Sequence, residues 1–157
     1  MKIYWKKLLI SIFISFLPAI IGSITIVDSI NGWYQTLNKP WFTPPNWAFG
    51  PVWTVLYVLM GISLYLIWIA KKKGDEKTLP ISIFSFQLIL NGLWTPMFFF
   101  AQSIIIALFI IILLDVFLII TIILFYRIDK KAGYLLIPYS LWLYVATLLN
   151  LTIFVLN

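Results

Sequence analysis

Long apolar runs, separated by short polar, glycine- or proline-containing links, set the pattern of this chain. A helix needs about 20 apolar residues to cross the hydrocarbon of a bilayer, and five stretches qualify: 8–27, 51–70, 79–101, 104–126 and 134–156. A lipid-exposed segment must satisfy its own backbone hydrogen bonds, and no barrel-type alternation is visible, so these runs predict helices. The expected fold is an all-α integral membrane protein, a single domain over residues 1–157 forming a five-transmembrane-helix bundle. Only Gln102 and Ser103 separate the third and fourth runs, which makes them an antiparallel hairpin. No internal duplication is visible, and an odd number of spans does not suit a repeat-built transporter.

Within the runs, particular side chains recur at helical spacing. In the first, Ser11, Ser15, Ala19 and Ser23 make a small-residue face of the kind that lets helices approach closely in lipid. Packing inside the bundle is expected of it, ahead of a seam between two copies. Trp53, Tyr57, Met60, Leu64 and Trp68 form a stripe on the second helix; Gln87, Asn91, Trp94 and Phe98 form one on the third. The fifth carries Tyr139, Trp142, Ala146 and Asn150. Amides in spans often act as interhelical glue and tryptophans often fill a core. Three such stripes beneath one aromatic loop also suit a pocket for a planar, largely apolar ligand.

That loop, 28–50, joins the first two runs. It holds Trp33, Tyr34, Trp41, Phe42, Trp47 and Phe49, with Pro40, Pro44 and Pro45. Disordered segments are poor in aromatics. A belt at headgroup level and a folded cap over the outer mouth of the bundle are the two readings, and the cap accounts for more of these residues.

Composition then removes whole classes. The chain is 63% hydrophobic, 18% aromatic and 10% charged, with no cysteine or histidine, and its mean hydropathy is +1.06. Soluble domains are about 25% charged. A soluble fold, a disulfide scaffold, a zinc module and a haem with a His or Cys axial ligand are all disfavoured, and no metal site is expected. The net charge of +6 does not point to nucleic acid. Lys2, Lys6, Lys7, Lys71, Lys72, Lys73, Lys77, Arg127, Lys130 and Lys131 all fall on one side, against Lys39 on the other. The positive-inside rule then places the N-terminus inside and the C-terminus outside a cytoplasmic membrane. The first run has a basic leader, but it is long and no A-x-A cleavage site follows, so it is read as a retained span. Asp115, the one carboxylate inside a run, has no cation at matching depth. It is expected to be protonated, bonded to an amide or hydroxyl such as Asn91, or held in a wet cavity, as a packing or pocket residue.

An ordered set of motifs resembles a known family. Trp33-Tyr34, Lys39-Pro40, Pro44-Pro45, Gly50-Pro51-Val52-Trp53, Leu56-Tyr57, Met60-Gly61 and Trp68 are similar to the loop and second helix of the TspO/MBR family of tryptophan-rich sensory and translocator proteins. Gln87-Leu88, Leu90-Asn91, Trp94, Pro96 and Phe98-Phe99 resemble its third helix; Pro138-Tyr139, Trp142, Ala146-Thr147 and Leu149-Asn150 resemble its fifth. The resemblance implies a five-helix bundle, often dimeric, that binds porphyrins and synthetic isoquinoline- or benzodiazepine-type ligands under the loop. The ligand-binding residues it implies are Tyr34, Pro44, Phe49, Trp53, Gln87, Asn91, Trp94, Trp142 and Ala146. Trp53 and Trp142 also match tryptophans implicated in light-dependent porphyrin breakdown. Two features depart from the pattern: the tail 151–157 lacks the Tyr and Arg of a proposed cholesterol motif, and Ile110 stands where many relatives carry a carboxylate.

The leading expectation is therefore a membrane receptor or sensor for a tetrapyrrole, protoporphyrin IX or haem, needing no other cofactor. Its expected partners are that planar ligand, membrane lipid and a second copy in a homodimer. A photochemical porphyrin-degrading enzyme is the alternative; acid–base catalysis lacks His, Cys and a carboxylate pair. A porphyrin or lipid transporter comes third, since broken helices, inverted repeats and ionisable relays are not evident.

Overall fold

The computed structural model describes residues 3–157, apart from the side chains of residues 27 and 28; Lys2 of the N-terminal basic cluster lies outside the described residues. Helix α1 runs Trp5–Asn31, followed by the single turn α2, Trp33–Thr36, and by α3, Asn46–Ile69. Helix α4, Gly74–Thr95, widens into a π-helical turn over Pro96–Phe100. Helices α5 (Ile104–Ile128), α6 (Lys130–Leu135) and α7 (Ile137–Leu156) complete the chain. Five apolar helical segments are long enough to cross a membrane, α6 and α7 together forming the fifth.

Local chemistry explains where helices begin. Ser103 accepts from the Ile106 amide (3.4 Å) at the start of α5, an N-cap contact that satisfies a donor the helix leaves open. Gln102 takes a left-handed φ of 51°, and this turns the chain sharply enough for the expected α4–α5 hairpin. Asp129 accepts from the amides of Lys131 (2.8 Å) and Ala132 (3.4 Å), so the chain bends and restarts as α6. Asp75 and Glu76 lie in the first turn of α4, where acidic groups complement the helix dipole.

The connection between the first two spans is much shorter than the expected 28–50. Helix α1 continues past the polar residues that suggested its end, α2 adds a turn, and α3 starts at Asn46, before Gly50-Pro51. Pro51 lies inside α3 as its sixth residue; it forgoes one i→i−4 backbone hydrogen bond and does not mark a boundary. Only Gly32 and 37–45 are left outside a helix in this connection. Its aromatics divide: Tyr34, Trp33, Phe42 and Phe49 pack with Phe98 and Phe99 into an apolar cluster beneath the loop, whereas Trp41 is 96% exposed and Trp47 77% exposed.

Around the bundle, α1 packs between α3 and α4, α4 on α5, α5 on α6 and α7, and α6 closes the ring on α3. The half remote from the 37–45 loop is filled by Met60, Leu64, Ile67, Leu118 and Leu136, with Phe84 and Phe125 stacked at 5.5 Å. The Ser63 hydroxyl ties α3 to the Ala132 carbonyl of α6 at 2.8 Å. Ser11 and Ser15 are fully buried within this one chain, as expected for bundle packing. Ser23 is exposed and bonds the Ile20 carbonyl; the small face continues instead through buried Pro18 and Gly22.

Candidate functional site

In the half beneath the 37–45 loop the bundle does not close, and a cavity of about 310 Å³ lies under α2 and the first turns of α3. That volume is at the lower end of small-molecule sites. Helix α1 contributes Phe16, Pro18, Ala19 and Gly22; α3 contributes Phe49, Trp53, Thr54 and Tyr57; α4 and its π turn contribute Asn91, Trp94, Thr95 and Phe98. Tyr34 lies on the loop side, and Ala146, Leu149 and Asn150 come from α7. Among the described residues no charged side chain lines the cavity.

Six of the nine expected ligand residues meet here: Tyr34, Phe49, Trp53, Asn91, Trp94 and Ala146. The other three stand away from the wall. Pro44 is half-buried in the loop before α3. Trp142 sits edge-on to Phe49 at 6.0 Å, so it touches the site through that ring, and its Nε1 is buried without a partner among the described residues. Gln87 is fully buried one turn below Asn91, where the helices have already closed together. Trp68, last in the α3 stripe, is 36% exposed at the end of α3 remote from the cavity, with Lys7 Nζ 5.4 Å above its ring.

The aromatic walls are held in place by one another and by amides. Trp94 stacks on Phe98 at 5.2 Å and donates through Nε1 to Asn150 Oδ1 at 3.0 Å. Asn150 in turn donates to the Ile104 carbonyl at 3.2 Å, so its amide is committed to structure. Trp53 stacks on Tyr57 at 5.4 Å and meets Tyr139 edge-on at 5.9 Å. On the loop side, Lys39 Nζ donates to the Tyr34 carbonyl at 2.7 Å and lies 4.5 Å from its ring centroid. Burial raises the Tyr34 hydroxyl above the usual phenol range, so the cap carries a neutral phenol at ordinary pH.

Asp115 is not bonded to Asn91. The Thr147 hydroxyl donates to Asp115 Oδ2 at 2.7 Å in the seam between α5 and α7, while Asn91 is engaged by Tyr57 and Tyr139. Asp115 does not line the cavity, although Ile111 and Leu114 beside it do. Of the α1 wall, Ala19 lies on the small-residue face read from spacing, while Pro18 and Gly22, like Ile111 and Leu114, are additions. Pro18 and Gly22 share a helical face with Ser11 and Ser15, which is the signal that points to that wall.

The profile of the TspO/MBR family matches residues 10–156. The chain is 42% identical over 151 residues to "Tryptophan-rich protein TspO" of Archaeoglobus fulgidus, covering 96% of this chain and 97% of that protein. It is 37% identical over 145 residues to "Tryptophan-rich sensory protein" of Cereibacter sphaeroides, covering 89% and 87%. To the human "Translocator protein" it is 38% identical over 121 residues, covering 75% and 70%. With five membrane-spanning segments and this extent of likeness, the chain is an integral membrane protein that belongs to the TspO/MBR family.

Proposed function

We propose that this protein is a membrane receptor or sensor whose outer cavity holds a planar, largely apolar tetrapyrrole such as protoporphyrin IX or haem. The observation that carries the reading is the cavity itself: indole, phenol and phenyl walls, a few amides and hydroxyls, and no charge among the described lining residues. Recognition by flat contact suits such a wall. The names of the relatives, sensory protein and translocator protein, agree with a receptor or sensor role. The protein would work as a homodimer in a cytoplasmic membrane with its N-terminus inside, the orientation favoured by its basic residues.

Titration of the purified protein with metal-free protoporphyrin in the dark tests this. Tryptophan fluorescence should quench saturably, and Trp53→Ala should weaken binding about five- to tenfold, the scale of one lost aromatic contact. Trp142→Ala, acting through Phe49, should cost less. Affinity unchanged in both Trp53→Ala and Trp94→Ala would overturn the assignment of the cavity.

The stacked Trp53–Tyr57 pair beside Tyr139 favours a second reading, light-dependent breakdown of the bound porphyrin by electron exchange with Trp53. Illuminated wild type should then bleach the porphyrin faster than Trp53→Phe at equal occupancy. Equal rates would leave binding alone.

A further inference from the structure

Four side chains at and below the cavity floor are joined by hydrogen bonds whose directions depend on one another. The Tyr57 hydroxyl donates to Asn91 Oδ1 at 2.9 Å, and Asn91 Nδ2 donates to the Tyr139 hydroxyl at 2.7 Å. That hydroxyl donates to Gln87 Oε1 at 3.3 Å. Tyr57 and Asn91 line the cavity, whereas Tyr139 and Gln87 do not and are fully buried.

A phenol has one proton to give, and an amide has one accepting end and one donating end. Because Tyr139 gives its proton to the Gln87 carbonyl, it must accept from Asn91. Asn91 must then turn its oxygen to Tyr57, and Tyr57 must spend its proton on that oxygen. The hydroxyl of Tyr57, a residue of the cavity wall, is thereby left with only accepting capacity. The far end of the row, Gln87 Nε2, is buried with no partner among the described residues.

Turning the Gln87 amide over reverses every member. Nε2 then donates to Tyr139, Tyr139 to Asn91 Oδ1 and Asn91 Nδ2 to Tyr57, and the Tyr57 proton is freed. Each polarity makes three hydrogen bonds and leaves one end of the Gln87 amide unpaired, so neither wins on bond count. Asn91 keeps a second N–H in both, which leaves Tyr57 as the group that changes sign.

We propose that Gln87 is a positioning residue that, through Tyr139 and Asn91, sets whether Tyr57 offers the ligand an acceptor or a donor. The site can thereby take planar apolar molecules carrying either an N–H or a carbonyl. This rests on the reading of the cavity as a planar-ligand site. It adds a determinant of specificity that does not touch the ligand.

Two tricyclic probes of similar size separate the polarities: carbazole, whose polar group is an N–H donor, and fluorenone, whose polar group is a carbonyl acceptor. Both should bind the full-length wild type in detergent, read by calorimetry in the dark. Gln87→Leu removes the carbonyl that holds the observed polarity, so Tyr139 turns its proton to Asn91 and the Tyr57 proton is freed. The carbazole-to-fluorenone affinity ratio should fall about fivefold, one hydrogen bond's worth. Gln87→Met, of the glutamine's own length, should shift the ratio in the same direction and serves if the leucine variant does not accumulate. Tyr139→Phe cuts the row, and adding Gln87→Leu to it should then leave the ratio unchanged. A Gln87 substitution that weakens both probes equally, or whose ratio shift persists in the Tyr139→Phe background, would overturn the relay while leaving the cavity reading intact. Failure of the wild type to bind either probe would remove the cavity reading and the relay together.

Discussion

Gly61 marks the closest approach of α1 and α3, and its replacement by alanine gives a sharp test of the packing. A Cβ at Gly61 would stand 2.6 Å from Ile12 Cα, 2.8 Å from its Cγ1 and 3.0 Å from its backbone nitrogen. Two of these atoms are main chain and cannot rotate aside, so the helices must part. Forcing an extra methyl into a packed contact costs about 1–3 kcal/mol, and the upper half of that range applies where backbone meets backbone. Replacing a mid-helix glycine by alanine returns about 1 kcal/mol. The net loss is about 1–2 kcal/mol, which for a chain of this size lowers the unfolding temperature by about 2–8 °C. Tryptophan fluorescence melts in detergent at one fixed scan rate measure it, the fixed rate being needed because such unfolding is often irreversible. Gly50→Ala is the internal control, because its Cβ meets nothing within 4 Å, and it should be neutral or slightly stabilising. Ligand affinity should fall in Gly61→Ala as well, since Phe16 and Tyr57, on either side of the contact, both line the cavity. A Gly61→Ala protein that melts with or above the wild type would refute the close approach.

Three further outcomes follow from other contacts. Thr147→Val strips the half-buried Asp115 of its 2.7 Å hydrogen bond in the α5–α7 seam and should cost about 1 kcal/mol, the net worth of one hydrogen bond; the same melts check it, and Asp115→Leu in the Thr147→Val background should recover part of the loss. The loop is clasped to the end of α7, where Asn157 accepts from the Asn38 amide (2.9 Å) and donates to its carbonyl (3.1 Å). Asn157→Ala should therefore speed hydrogen exchange at the Asn38 amide by about fivefold or more, and unchanged protection would show that the clasp does not hold the loop. Because the chain has no cysteine, Trp41→Cys and Asp75→Cys give single labelling sites at the two ends of the bundle. A membrane-impermeant maleimide added to intact cells should label the first and spare the second, and the reverse pattern would invert the proposed orientation.

What could be read from the linear chain, and what could not, divides along a physical line. Lipid demands long apolar runs and internally satisfied backbone, so five spans were legible from hydropathy alone. Helical spacing likewise put Trp53, Asn91, Trp94 and Ala146 on inward faces. Spacing fixes a face and leaves depth open. Gln87 shares a face with Asn91 one turn away, yet Asn91 meets the cavity and Gln87 lies where the helices have closed. Trp53 and Trp142 both sit on inward stripes, but Phe49, arriving from the start of α3, takes the wall position and leaves Trp142 to pack on its edge. The loop was misjudged for a similar reason: Asp28 and Asn31 are polar enough to suggest a helix end, but beyond the hydrocarbon a helix no longer needs apolar side chains to continue.

The row from Tyr57 to Gln87 was beyond such reading, because its members meet only when three helices are assembled, with partners 34, 48 and 52 residues apart in sequence. Each residue taken alone has a bland structural role, as glue or as core. Joined, they share one constraint: one phenolic proton at Tyr139 decides the orientation of an amide, and that amide decides whether a second phenol, of the cavity wall, is left as acceptor or donor. Replacing the row with aliphatic groups would remove its directionality, since an apolar wall offers the ligand neither a donor nor an acceptor. Polar groups buried this deeply are costly unless paired. The one left unpaired, Gln87 Nε2, is at the end of the row opposite Tyr57, and there it leaves the row free to run either way.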